Sequence, residues 1–235
     1  MNTEASPALE HLATIELFRD LSSDELGEVI ALARVRRFEK DTLIFNQGDA
    51  AARAHVLVEG SVRISQSGSD GAQVVVRFIA PGETFGTVAL FTDGRYPAEA
   101  FATADAIDVS WSEGDLRELL GRYPQIALNV IHIIGKRLKE AQERVRELAT
   151  QRAEQRVAHA LLRLARQAGQ STSEGTAITF PLRRKDVADI SGTTLHTASR
   201  ILTGWERVGL VRSRNQRLVI RKSSELLRIA EHATG

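Results

Sequence analysis

The stretch Arg184-Lys185-Asp186-Val187-Ala188-Asp189-Ile190-Ser191-Gly192-Thr193-Thr194-Leu195-His196-Thr197-Ala198-Ser199-Arg200-Ile201-Leu202-Thr203-Gly204-Trp205-Glu206-Arg207-Val208 holds two helical patterns around a tight turn. The first runs from Arg184 to Ile190, Ser191-Gly192-Thr193 makes the turn, and the second runs from Thr194 to about Val208. Two short helices joined in this way form a helix-turn-helix. In the second helix Ala198, Ile201, Leu202 and Trp205 fall at i, i+3, i+4 and i+7, so they are expected to bury together. The other side carries His196, Ser199, Arg200, Thr203 and Arg207, with His196, Ser199 and Arg200 on one patch. Arginine makes bidentate contacts to guanine, serine takes either hydrogen-bonding role, and histidine can donate or accept at a base edge or phosphate. Thr193, Thr194 and Thr197 lie at the helix start, where hydroxyls and exposed N–H groups can hold a phosphate.

Outward from this core, Leu210 to Ile220 reads as two strands around a polar turn, a basic wing with Arg212, Arg214 and Arg217. Those arginines, with Arg183, Arg184 and Lys185 at the start of the first helix, are expected along a DNA backbone. Upstream, Val157, Ala160, Leu161, Leu164 and Ala165 mark a helix, Gly169 to Gly175 reads as a loop, and Ile178 to Leu182 as an edge strand. Residues 151–235 hold 15 Lys and Arg against 7 Asp and Glu, a balance of +8, while residues 1–150 hold 16 against 23, or −7. One basic and one acidic half imply one domain built to meet a polyanion and another that is not.

The acidic half changes texture along its length. Ser22-Ser23-Asp24-Glu25 has capping-box spacing and precedes a helix through Leu26, Val29 and Ile30. From Arg37 to about Trp111 come short β-branched runs. Gly48, Gly60, Gly71, Gly82 and Gly94 recur at intervals of 12, 11, 11 and 12, as turns do between the strands of a double-sheet roll. After Pro124 the pattern turns helical, and Ile131, Ile134, Leu138, Ala141, Val145 and Leu148 alternate at steps of three and four. This narrow heptad seam, crowded by charge on both sides, predicts a helix that pairs with a second copy of the chain. The phase is lost around Gln151 to Glu154, which sets the hinge between the halves.

Several chemistries are excluded. The chain has no cysteine, so disulfides, a thiolate-held iron-sulfur cluster and a cysteine nucleophile are ruled out together. No P-loop, metal-spaced histidine pair or nucleophile elbow is present, which argues against an enzyme. No apolar run approaches a membrane span, and the polar start from Met1 to Pro7 lacks a secretory core, so a soluble cytoplasmic protein is expected.

The stretch Leu195-His196-Thr197-Ala198-Ser199-Arg200-Ile201-Leu202, followed by Trp205-Glu206 and Gly209-Leu210-Val211, resembles the recognition helix of Crp/Fnr regulators. Gln47-Gly48-Asp49, Val58-Glu59-Gly60-Ser61-Val62 and Pro81-Gly82-Glu83-Thr84-Phe85-Gly86 are similar, in the same order, to their cyclic-nucleotide-binding roll. The resemblance covers almost the whole chain. It implies an α+β fold with an N-terminal double-stranded β-helix (jelly roll) over 1–123, a long dimerisation helix over 124–152 and a C-terminal winged helix-turn-helix over 153–235. It also implies a homodimer on palindromic double-stranded DNA with a TTG/CAA core, Arg200 reading guanine, and recruitment of RNA polymerase.

The resemblance further bears on what is sensed. Cyclic-AMP-binding relatives carry Phe-Gly-Glu followed further on by Arg-Ser, whereas this chain has Phe85-Gly86-Thr87 and Pro97-Ala98. The ribose loses its acid and the phosphate its cation. Arg95 lies two positions away, a displacement of nearly 7 Å at roughly 3.3 Å per strand residue, so cyclic AMP is not expected to bind. His196, where most relatives have Glu, is similar to the NnrR-type regulators of denitrification genes, which respond to nitric oxide. Sensing in such proteins implies a haem, for which His11, His55 and His132 are the candidate ligands, His132 first because it lies beside the seam. His159 and His232 carry no pattern. A cyclic-nucleotide-gated regulatory module and a regulator that needs no effector stand as the alternatives.

Overall fold

The computed structural model describes residues 15–50 and 53–231. His11 and His232 lie outside these residues. The chain is α+β and divides into two compact units, one reaching to Gln66 and including Ile79–Glu140, the other comprising Ser67–Phe78 and the chain from Ala141.

In the first unit, helix α1 (Ser23–Ala31) starts at the expected capping box: the Ser22 hydroxyl accepts from the Glu25 N–H, and the Glu25 carboxylate accepts from the Ser22 N–H at 2.7 Å. Eight strands follow: β1 (Arg34–Phe38), β2 (Leu43–Phe45), β3 (Arg53–Glu59), β4 (Val62–Ser67), β5 (Gln73–Ile79), β6 (Thr84–Phe85), β7 (Glu99–Ala102) and β8 (Ala106–Ser112). They form two sheets, β1-β8-β3-β6 and β2-β7-β4-β5. Most of β5 groups with the second unit.

Alternation along the strands builds two apolar layers. Val56, Val58, Val109 and Trp111 pack with Phe18, Val29, Leu119 and Ile126 beneath the helices, and the Trp111 indole donates to the Val29 carbonyl at 2.7 Å. Leu57, Val62, Ile79, Phe85 and Ala106 fill the roll interior. The five evenly spaced glycines all have positive φ, and Gly60 is the tightest: a Cβ there would sit 2.1 Å from the Asp105 carbonyl oxygen.

A short helix α2 (Thr87–Leu90) follows β6, and α3 (Glu113–Arg122) follows β8. The long helix α4 (Pro124–Thr150) then begins on proline, where the missing N–H costs nothing. It ends two residues before the expected boundary. Buried Asn129 on this helix donates to the carbonyls of Leu17 and Arg19. The predicted seam lies along its open side: Ile131, Ile134, Leu138, Val145 and Leu148 are 47–67% exposed, and Ala141 is exposed with them.

In the second unit, α5 (Ala153–Ala168) buries Val157, Ala160, Leu161 and Leu164. Gly169 to Gly175 is not an irregular loop: β9 (Gly169–Thr172) and β10 (Gly175–Ile178) form a hairpin. Its first strand is exposed on every residue, so no two-residue apolar period marked it in the sequence. The edge strand expected over 178–182 therefore ends at Ile178. The helix-turn-helix follows as α6 (Arg184–Ser191) and α7 (Leu195–Arg207), then β11 (Val211–Arg214), β12 (Arg217–Ile220) and α8 (Ser223–Glu231). The sheet order β11-β12-β10-β9 joins the wing to the hairpin. Phe78 stacks on Phe180 at 4.4 Å within the same core. Among the described residues no helix is long and apolar enough to cross a membrane.

Candidate nucleic-acid interface

Helix α7 is held by its back face. Ala198 is fully buried, Leu202 and Trp205 are buried with Leu161, Val187 and Leu210, Ile201 packs against that cluster, and the Trp205 indole donates to the Glu154 carboxylate at 3.0 Å. His196 and Arg200 are exposed on the front, and Ser199 is half-buried between them. The Thr194 hydroxyl caps the helix by accepting from the Thr197 N–H at 3.2 Å, and it donates to the Thr197 hydroxyl. The Thr193 N–H donates to the Ala188 carbonyl, closing α6.

The turn is clamped from below. Gly192 has φ +62°, and Arg156 donates to the carbonyls of Ser191 and Gly192 at 2.9 and 3.0 Å. Arg144, whose pKa is pulled down by burial, donates to the carbonyls of Val76 and Ile190, both at 2.9 Å. Leu148 fills the space above Gly192, with its Cδ2 2.3 Å from where a Cβ would stand. Sequence reading missed Arg144 and Arg156, because their acceptors are main-chain carbonyls with no sequence signal.

The cations expected along a DNA backbone fall into two sets. Arg184 donates to the Ser199 carbonyl (2.8 Å), to the Thr203 hydroxyl (3.0 Å) and to both Glu206 oxygens, so it joins α6 to α7. Lys185 pairs with Asp189 at 2.7 Å, Arg183 with buried Asp186 at 2.8 Å, and Arg212 with Glu174 at 2.7 Å. Arg200, Arg214 and Arg217 are exposed and hold no carboxylate partner among the described residues. The wing turn Asn215-Gln216 has φ of 51° and 63°, the primed geometry that matches strand twist, and register places Arg214 opposite Arg217.

In the roll, Phe85 is buried and Gly86 takes a left-handed conformation before Thr87 starts α2. Arg95 donates to the Gly48 carbonyl at 2.8 Å on an exposed loop. Around Phe85 the interior is filled by side chains: Phe45 stacks on Tyr96 at 3.8 Å, and His55 stacks on Phe85 at 4.8 Å. His55 is 2% exposed, and its Nδ1 lies 2.5 Å from fully buried Asp108. Burial pushes the His55 pKa down, against the pull of the Asp108 hydrogen bond. Arg137 of α4 donates to the Thr84 hydroxyl, one residue before Phe85. His132 is 63% exposed and shares the Glu16 carboxylate with Lys136, each at 3.5 Å.

Residues 35–123 match the model of the cyclic nucleotide-binding domain, and residues 155–229 match that of the Crp-like helix-turn-helix domain. The cyclic AMP receptor protein of Thermus thermophilus is 29% identical over 214 residues, 91% of this chain and 96% of its own. The nitrogen fixation regulation protein FixK of Azorhizobium caulinodans is 31% identical over 218 residues, 91% of this chain and 87% of its own. The structure of FixK2 from Bradyrhizobium japonicum aligns with a TM-score of 0.74 at 26% identity, covering 86% of this chain and 99% of that one.

Proposed function

Because this chain belongs to the Crp/Fnr family of DNA-binding transcription regulators, and is not an enzyme, we propose that it acts as a cytoplasmic homodimer on palindromic sites of TTG/CAA type. Two copies pair along Ile131, Ile134, Leu138, Ala141, Val145 and Leu148 and present α7 to successive major grooves, with half-sites about 34 Å apart. His196, Ser199 and Arg200 meet the bases, Thr193, Thr194 and Thr197 meet phosphate at the helix start, and Arg214 and Arg217 follow the backbone. The observation that carries this reading is the exposed His196/Arg200 front on a helix whose back is buried on Leu202 and Trp205. Arg184, Lys185 and Arg212 act one step back, since each is already paired with an acid.

The regulon we propose is that of NnrR-type control: nitric-oxide-responsive denitrification genes, with RNA polymerase recruited at the promoter. His196 at the position where most relatives carry Glu supports it. Of the three candidate haem ligands His11 lies outside the described residues, and neither of the other two fits a haem. His132 faces carboxylate and ammonium in the open, and His55 is closed in against Phe85 and Asp108, whereas haem ligation needs an apolar cavity around an accessible imidazole. Cyclic AMP fits no better, because Thr87 and Pro97 supply neither acid nor cation and Arg95 is tied to Gly48. Phe85, Gly86 and Thr87 nevertheless lie where a change in the roll would reach α4, through the bond from Arg137 to Thr84.

The test is fluorescence anisotropy on a palindromic TTG/CAA duplex and a scrambled one, with and without nitric oxide. Preference for the palindrome that changes with the gas is expected. No binding to either duplex at low salt, or no preference at physiological salt, would refute the DNA reading, and a preference indifferent to the gas would refute the regulon. Calorimetry with cyclic AMP separates the gated-module alternative, which requires binding.

A further inference from the structure

The DNA-facing end of α7 is not wholly polar. Leu195, the first residue of the helix, is 49% exposed and is the one large apolar side chain of α7 in the open. By helical phase it lies near Leu202, seven residues on, yet Leu202 is only 1% exposed. At the N-terminal end the buried stripe has run past the edge of the domain core, so Leu195 projects beyond it. Its neighbours are His196 next in sequence and Ser199 one turn on, two of the three side chains already assigned to base edges.

The N-terminal residues of a helix in this position enter the major groove. A leucine there has no donor or acceptor with which to read a base edge. The groove offers one apolar group, the 5-methyl of thymine, and aliphatic contact with it is a form of direct readout. We propose that Leu195 packs on the 5-methyl group of a thymine in each half-site and so selects thymine there. The proposal rests on the DNA-binding reading above. It adds an apolar determinant to the polar set and accounts for half a leucine being left in water at the tip of the recognition helix.

The 5-methyl can be removed without touching any hydrogen bond, by replacing thymidine with deoxyuridine. Each thymine of the palindromic TTG/CAA duplex is replaced in turn, in both half-sites together, and binding is followed by anisotropy for the full chain and for Leu195→Ala. Burying one methyl group corresponds to about fourfold in affinity, so about sixteenfold is expected when both half-sites lose it. Native protein should show that loss at one position only. Leu195→Ala should bind the thymidine duplex more weakly by a similar factor and be indifferent to deoxyuridine.

Native protein indifferent at every position would overturn the proposal, as would Leu195→Ala keeping the native sensitivity. The deoxyuridine scan of native protein needs no variant, so misfolding cannot mask the answer. If native protein does not distinguish the palindrome from the scrambled duplex, the DNA reading itself fails. Specific binding without methyl sensitivity sinks the Leu195 assignment alone.

Discussion

Arg156 donates from one guanidinium to two consecutive carbonyls, those of Ser191 and Gly192, and so fixes the end of α6 and the turn that leads into α7. Removing it strands two acceptors at a helix end. Arg156→Ala should destabilise the C-terminal unit by about 2 kcal/mol and weaken palindrome binding, with Arg156→Lys restoring part of both, since an ammonium lacks the planar fork that reaches two carbonyls at once. Thermal melting and anisotropy read this out. Native values for Arg156→Ala in both would show the clamp to be dispensable.

Arg184 and Arg200 should part company. Arg200→Ala is expected to flatten discrimination at one base pair, by about 1–3 kcal/mol, in a panel of point-substituted duplexes. Arg184→Ala leaves Glu206 and the Ser199 carbonyl without their donor, so it should lower the melting temperature as well as the affinity for every duplex. A variant of Arg184 that melts like the native protein but binds weakly would restore it to direct phosphate contact.

The wing gives a salt-dependence test. Arg214 and Arg217 have no acidic partner among the described residues, whereas Arg212 is held by Glu174. Replacing Arg214 and Arg217 by alanine should reduce the slope of log affinity against log salt by roughly two per subunit. Arg212→Ala should change it least of the three, and an equal change for all three would contradict the division.

Association should fail when charge enters the seam. Leu138→Glu with Val145→Glu places carboxylates on two of its most exposed apolar positions. Sedimentation velocity should show a monomer, with palindrome affinity lost and the melting of each unit retained. A dimer that survives both changes would place the interface elsewhere.

His55 makes the first unit acid-sensitive. Its pKa is lowered in the fold, chiefly by burial, so below its ordinary value near 6.5 the unfolded chain takes up a proton that the folded chain refuses. Stability from this group is therefore complete above pH 6.5 and falls as the pH drops toward the lowered value, by at most about 1.4 kcal/mol per pH unit. Urea melts from pH 7.5 to 5 should show a shallower decline in His55→Gln than in the native chain. Parallel curves would dismiss the effect.

The two helices of the helix-turn-helix were legible because two signals coincide: the apolar spacing of Ala198, Ile201, Leu202 and Trp205, and the Ser191-Gly192-Thr193 turn. The roll declared itself through evenly spaced glycines, each of which takes the positive φ that a turn requires. What stayed hidden was pairing at a distance. Glu206 lies 22 residues from Arg184, Glu174 lies 38 from Arg212 and Asp108 lies 53 from His55, so a run of basic residues reads as free cations until the fold supplies their partners. The strand Gly169–Thr172 was hidden for the opposite reason, since it is stabilised by main-chain bonds and its side chains bury nothing.

Leu148 stands in two places at once, half open on the apolar stripe of α4 and seated over Gly192 in the turn. The two positions are thereby linked: a methyl at 192, already strained by the left-handed φ there, would also push the tip of Leu148 aside, and moving that tip disturbs the stripe. In a dimer built on that stripe, the side chain that meets the partner copy also covers the turn into α7, so subunit pairing and the placing of the second helix draw on the same atoms.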